Sequence, residues 1–276
     1  MSYKIVVDSS SDLLEMAGVN LANAPLKITS GEREFVDDAN LDVADMVEYL
    51  RGYTGRSSTA CPGAGEWMDA FDDAEQVFCV TITSNLSGAY NSAVVAKNEY
   101  EATYPERKVE VLDSYSTGPE MVLMVEKIVE LMEQGLPMEE VAAQVREYAD
   151  KAQLIFALGS LNNLARNGRV NPAVAKVAGV LGIRVVGKAT EGVLDPLSKC
   201  RGEKRALAEI LSQIEKLGYQ GGKVRISHCF NPDAAARMSE MILEKWPQAD
   251  IRSYPARGLV SFYAELNGLL MAFETK

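Results

Sequence analysis

A chain of 276 residues, 47% hydrophobic and 24% charged, has material for about two domains with cores of their own. Its net charge of −11 excludes nucleic acid as a general partner, because phosphate binding is driven by clustered Lys and Arg. No apolar run approaches a bilayer span, and four cysteines without a C-x-x-C pair indicate neither a disulfide framework nor a zinc site.

The first residues, Met1-Ser-Tyr-Lys-Ile-Val-Val-Asp8, read as a short strand with no cationic leader, so a cytoplasmic location is expected. Over residues 1–151, strands are predicted at 3–7, 23–29, 34–36, 76–81 and 108–112, and helices at 42–51, 65–74, 87–100, 120–134 and 138–151. That alternation predicts an α/β domain with a largely parallel sheet and flanking helices. Ligands of such sheets sit beyond the carboxyl ends of the strands. Asp8-Ser-Ser-Ser-Asp12, Thr59, residues 83–87 and Asp113-Ser-Tyr-Ser-Thr117 are hydroxyl-rich ends expected to face one mouth.

Among these, Ser84-Asn-Leu-Ser-Gly88 is the most informative, because an apolar strand breaks there into residues that open a helix. Free N–H groups, the helix dipole and the Ser84 and Ser87 hydroxyls would converge on an anion, with Gly88 letting it approach the main chain. The same residues also suit a simple helix cap.

From 152 to 276 the pattern changes to strands at 153–158, 182–189, 193–199, 224–229, 250–254 and 269–274, with helices at 171–180, 203–217, 233–246 and 259–266. This predicts a second α/β domain with a more antiparallel sheet. Basic residues gather here, among them Arg166, Lys176, Arg184, Lys188 and Lys204, and most suit solvated surfaces. Gly182-Ile-Arg-Val-Val-Gly-Lys188 has P-loop spacing, but Ala189 replaces the hydroxyl residue and the β-branched interior predicts a buried strand. Asn85-Leu-Ser87 matches a glycosylation sequon that a cytoplasmic chain would not use. A serine hydrolase would pair Ser87 with His228, the one histidine, yet no G-x-S-x-G elbow surrounds Ser87. No cluster has metal-ligand spacing, and no cofactor is implied.

Six short motifs in order, Asp8-Ser-Ser-Ser-Asp-Leu13, Ser58-Thr-Ala-Cys-Pro-Gly-Ala-Gly-Glu-Trp67, Ser84-Asn-Leu-Ser-Gly-Ala-Tyr90, Asn167-Gly-Arg-Val170, Leu181-Gly-Ile-Arg184 and Leu197-Ser-Lys-Cys-Arg201, resemble the DegV family over essentially the whole chain. The resemblance implies two α/β domains with a long-chain fatty acid in a tunnel between them. It further implies a non-catalytic binding subunit that presents the acyl carboxylate to a separate ATP-dependent fatty acid kinase subunit. The family's carboxylate-binding groups then fall on Thr59, Ser87 and the Gly88 N–H. Arg169 and Arg201 fall at the ligand mouth or the kinase-docking face, where ordinary interface salt bridges are the alternative. Met121 and Met124 on the 120–134 helix, with Phe156 and Leu158, are tail-lining candidates, although such residues equally suit a plain core. One departure stands out: the family's His-x-Gly-Pro-Gly segment corresponds to residues 258–268, which offer Tyr263 and no such turn. This puts kinase coupling in question more than lipid binding, and leaves two alternatives to the kinase-coupled carrier: the hydrolase, or a lipid-responsive regulator without a kinase.

Overall fold

The computed structural model describes residues 3–173, 175 and 182–275. The first sheet is fully parallel, in the order β2 (Leu21–Ala24), β1 (Tyr3–Asp8), β6 (Gln76–Thr81) and β7 (Lys108–Asp113). Its centre reads as apolar runs because both faces are covered, and Ile5, Val6, Val7, Phe78, Cys79 and Val80 are fully buried.

The predicted strand at 23–29 is two strands. Pro25 interrupts the backbone ladder, and the chain leaves β2 to start β3 (Lys27–Ser30) in a separate antiparallel sheet with β4 (Arg33–Val36) and β5 (Ser57–Ala60). Thr59 therefore lies on a strand, opposite the buried Ile28, rather than in a loop.

Helices α1 (Val43–Gly52), α2 (Ala64–Phe71), α3 (Ala89–Thr103), α4 (Pro119–Glu133) and α5 (Met138–Ala149) follow the predicted spans to within a few residues. Of these, α4 is the most buried, because it packs on β6 and also on strands of the second large sheet.

That sheet has six strands in the order β10 (Val193–Arg201), β9 (Ile183–Thr190), β8 (Ala152–Leu158), β13 (Leu269–Glu274), β11 (Lys223–His228) and β12 (Asp250–Pro255). Every pairing in it is antiparallel except β11 with β12. The segment with P-loop spacing is strand β9, as its β-branched interior requires. Helices α7 (Glu203–Lys216) and α8 (Pro232–Lys245) cover one face, packing on Ile155 and Ala157 of β8. A short helix, α6 (Asn162–Arg166), was not anticipated. Most of the predicted 171–180 helix, with Lys176 and Leu181, lies outside the described residues.

Helix α9 (Gly258–Ala264) returns from the second sheet to the first core, where Leu259 and Phe262 are buried. The Asp37 carboxylate, on the loop after β4, accepts the Gly258 and Leu259 N–H groups at 2.9 and 2.7 Å and so caps α9 from a distance. A Cβ on residue 258 would come within 2.7 Å of that carboxylate, which explains the glycine. Asp12 is a second tie, accepting the Arg257 N–H at 2.7 Å and the Ser227 hydroxyl at 2.6 Å. A third joins α4 to β11: fully buried Arg225 grips Glu126 through two bonds of 2.8 and 2.7 Å and also bonds Asp250 at 2.8 Å. Among the described residues no helix is long and apolar enough to cross a membrane.

Candidate functional site

Between the two large sheets lies a cavity of about 300 Å³ with a polar end and an apolar body. The apolar body follows from strand periodicity. Leu154, Phe156 and Leu158 project from one face of β8 into the cavity while the intervening Ile155 and Ala157 pack outward under α7 and α8. Leu270, opposite Phe156 on β13, extends this wall. On the other side of Phe156 the register places Gly187, where a Cβ would stand 2.4 Å from the ring, so the glycine lets the phenyl group lie over β9. Leu26, Ile82 and Leu259 close the cavity from the first sheet's side.

At the polar end Thr59, Ser87, Gly88, Arg169 and Tyr263 line the same space. The Thr59 and Tyr263 hydroxyls are 2.7 Å apart, across 204 positions of sequence, because β5 and α9 meet there. Burial raises the Tyr263 phenol, while the Thr59 bond and the Arg169 charge pull it down, so it remains a protonated donor at neutral pH. The Ser87 hydroxyl oxygen accepts the Ala89 N–H at 3.2 Å, as a helix cap would, and keeps its own proton to give to a ligand. The two readings of this loop are therefore compatible. Gly88 is packed closely, since a Cβ there would meet the Cys61 sulfur at 3.3 Å, and its N–H has no partner among the described residues.

Arg169 enters the cavity because Gly168, at φ +75°, turns the chain sharply after α6. Its Nε donates to the Leu86 carbonyl at 3.2 Å and one terminal nitrogen donates to the Asn167 carbonyl. The other terminal nitrogen has no partner among the described residues, and Arg169 is the one cationic side chain on the described lining. One of the Thr59 and Tyr263 protons is used in their mutual bond, so the clamp offers three free neutral donors and one permanent charge, which suits a carboxylate at the head of an apolar ligand.

Several expectations need correction. Met121 and Met124 do not line the cavity: α4 turns them into the core of the first sheet, where they are 0% and 1% exposed, and Met121 sulfur receives the Ser10 hydroxyl. The Asp8-Ser-Ser-Ser-Asp12 loop does not face the mouth either. Its hydroxyls are spent on structure, with Ser9 accepting the Leu26 N–H, Ser11 donating to the Asp8 carbonyl, and Asp8 itself accepting the Ile82 N–H at 2.7 Å. From the loop after β7 only Thr117 reaches the cavity. Arg201 is exposed on β10, at the sheet edge, and is not part of the lining. His228 ends β11 outside the cavity, where its Nδ1 accepts the Asn231 N–H at 3.3 Å and burial lowers its pKa. Ser87 and His228 are not brought together. Leu154 and Leu270 were missed, although their positions follow from the alternation that places Phe156 and Leu158.

Comparison with known proteins agrees with this architecture. The model of the DegV family, described as uncharacterised proteins, matches residues 2–273. A DegV domain-containing protein of Streptococcus pneumoniae is 41% identical over 279 residues, 99% of each chain. A DegV family protein of Eubacterium eligens, solved loaded with heptadecanoic acid, superposes with a TM-score of 0.98 at 41% identity over 100% of both chains. The Streptococcus pneumoniae fatty acid kinase (Fak) B3 protein, solved loaded with linoleic acid, superposes with a TM-score of 0.97 at 40% identity, again over 100% of both chains.

Proposed function

Because this chain belongs to the DegV family, we propose that it holds one long-chain fatty acid between its two sheets, tail along β8 and carboxylate in the clamp of Thr59, Ser87, Gly88, Tyr263 and Arg169. The observation that carries the reading is the joining, in one cavity, of an apolar wall to a cluster of donors around a single cation. About fifteen methylenes at ~0.8 kcal/mol each give roughly 12 kcal/mol of transfer free energy before ordering costs, enough to retain a ligand through purification. Fatty acid should therefore be recovered in stoichiometric amount when protein purified from bacteria is denatured and extracted for mass spectrometry. Protein that yields no lipid, and whose melting temperature does not rise on adding fatty acids, would overturn the reading.

On this reading the protein has no chemistry of its own. It shields the tail in the cytoplasm and offers the carboxylate to a separate ATP-dependent kinase subunit, with exposed Arg201 on the docking face, and residues 1–151 and 152–276 act as two domains. The likeness to a fatty acid kinase B protein over the full chain supports this role. The separation of Ser87 from His228 argues against the hydrolase.

Thr59→Ala and Ser87→Ala should each weaken binding by about 1–3 kcal/mol, the effect of leaving a buried carboxylate short of a donor. Calorimetric titration with palmitic acid and with its methyl ester distinguishes the roles. The mutants should bind the acid less tightly than wild type and the ester equally well. Equal affinity of mutant and wild type for the acid would reduce both hydroxyls to backbone caps.

A further inference from the structure

Arg169 and Tyr263 line one polar end, yet they arrive there from different segments, Arg169 from the turn after α6 and Tyr263 from α9. Two residues tie those segments together without joining the described lining of the cavity: Asn163, in the first turn of α6, and Glu265, at the end of α9. Both border instead a separate groove of about 190 Å³ between α1, α6 and α9, which shares no described lining residue with the acyl cavity.

The ties run in both directions. The Asn163 side-chain amide donates to the Phe262 carbonyl at 2.8 Å, one residue before Tyr263, and the Asn163 backbone N–H donates to the Glu265 carboxylate at 3.1 Å. The Ser160 hydroxyl, on the approach to α6, donates to the same carboxylate oxygen at 2.7 Å. Glu265 thus accepts at the start of α6, where helix N–H groups lack partners within the helix. From Asn163 the bonds continue toward the cation. Its carbonyl accepts the Asn167 side-chain amide at 2.9 Å and the Asn167 N–H at 3.1 Å, and the Asn167 carbonyl accepts a terminal nitrogen of Arg169. Asn163 therefore stands midway in a hydrogen-bonded run from the Phe262 peptide to the Arg169 guanidinium. Glu265 also holds an unusual backbone state, φ +55° and ψ 178°, which residues with a Cβ rarely occupy and which persists only where the surroundings over-determine it.

We propose that Asn163 and Glu265 are positioning residues of the clamp, whose cross-ties set the Arg169 guanidinium against the Tyr263 hydroxyl so that charge and neutral donors converge on one carboxylate. The inference rests on the fatty-acid reading above and adds to it the residues that hold its head-group site together. Neither side chain gives the ligand a contact; what they supply is geometry, to which a directed, charged hydrogen bond is sensitive. Leu154, Phe156 and Leu158 are held instead by the pairing of β8 with β9 and β13, so the grip on the tail does not depend on these ties.

The test titrates delipidated full-length protein with palmitic acid and with its methyl ester. Asn163→Ala should weaken acid binding about tenfold and leave ester binding within about twofold of wild type. A residue needed only for folding would lower both together. In an Arg169→Ala background Asn163→Ala should bring no further loss for the acid, because the group it positions is gone. Glu265→Ala should repeat the pattern of Asn163→Ala, whereas Glu265→Gln, whose side-chain oxygen still accepts from Ser160 and Asn163, should bind the acid nearly as wild type does. The proposal is overturned if either alanine variant binds the acid like wild type, if the ester loses as much as the acid, or if the loss adds in full to that of Arg169→Ala. Failure of wild type to bind palmitic acid would overturn the fatty-acid reading itself and the proposal with it. Should Asn163→Ala not fold, Asn163→Ser, too short to reach the Phe262 carbonyl, and the two Glu265 variants are judged by the same criteria.

Discussion

Arg169→Ala is expected to weaken the binding of a long-chain fatty acid by about 2–5 kcal/mol, or roughly thirtyfold to about 5,000-fold. The other members of the clamp are neutral donors, so this change removes the one cation on the described lining of a mainly apolar site. A carboxylate left there must take up a proton or go without a counter-charge. The loss should accordingly shrink as pH falls, because a protonated acid no longer needs the guanidinium. Arg169→Lys should recover only part of it, since an ammonium cannot reproduce the fork that holds the Leu86 and Asn167 carbonyls while presenting a third nitrogen to the ligand. Calorimetry at neutral and mildly acidic pH, with the methyl ester as control, measures each part. Unchanged affinity at neutral pH would make Arg169 a strut between loops.

The largest effect on stability is expected from Glu126→Ala. Arg225 is 1% exposed in its side chain, and its bidentate partner on α4 is 11% exposed, so the change leaves an interior guanidinium with the half-exposed Asp250 as its one carboxylate, beside the Val224 and Asp250 carbonyls. A buried pair broken from one side costs about 3–5 kcal/mol. The double variant Glu126→Leu with Arg225→Met should recover most of that loss, because no charge is then buried. Urea denaturation of Glu126→Leu, Arg225→Met and the double variant, beside Glu126→Ala, gives the coupling. If the loss in Glu126→Ala is below about 1 kcal/mol, the pair behaves like a surface bridge and does not hold α4 to β11.

The alternating elements, the parallel first sheet and the antiparallel second one were legible because each rests on a local period that a single segment displays. Phe156 and Leu158 were legible for the same reason. The small sheet was not, since β5, Ser57–Ala60, is four small or polar residues with no apolar alternation, and its strand character comes from pairing with β3. Met121 and Met124 misled because α4 is apolar on nearly every side, and such a helix does not reveal which face meets a cavity and which a core. The hydroxyl loops share one composition and two fates: the serines at 9 to 11 satisfy backbone groups, whereas Ser87 does so and still reaches the cavity. Only the path of α9, fixed by Asp37, reveals that Tyr263 meets Thr59.

That path also ties the two large sheets together. Through Asp37 and the buried Leu259 and Phe262, α9 is fastened to the first core although its neighbours in sequence are strands of the second sheet. The same helix is also held from the other side, since Val260 and Ala264 pack with Leu154, Phe156 and Leu158 and the Asn163 amide donates to the Phe262 carbonyl. Tyr263 thus stands on a rivet between the two sheets, so the clamp cannot lose it without disturbing the packing of both.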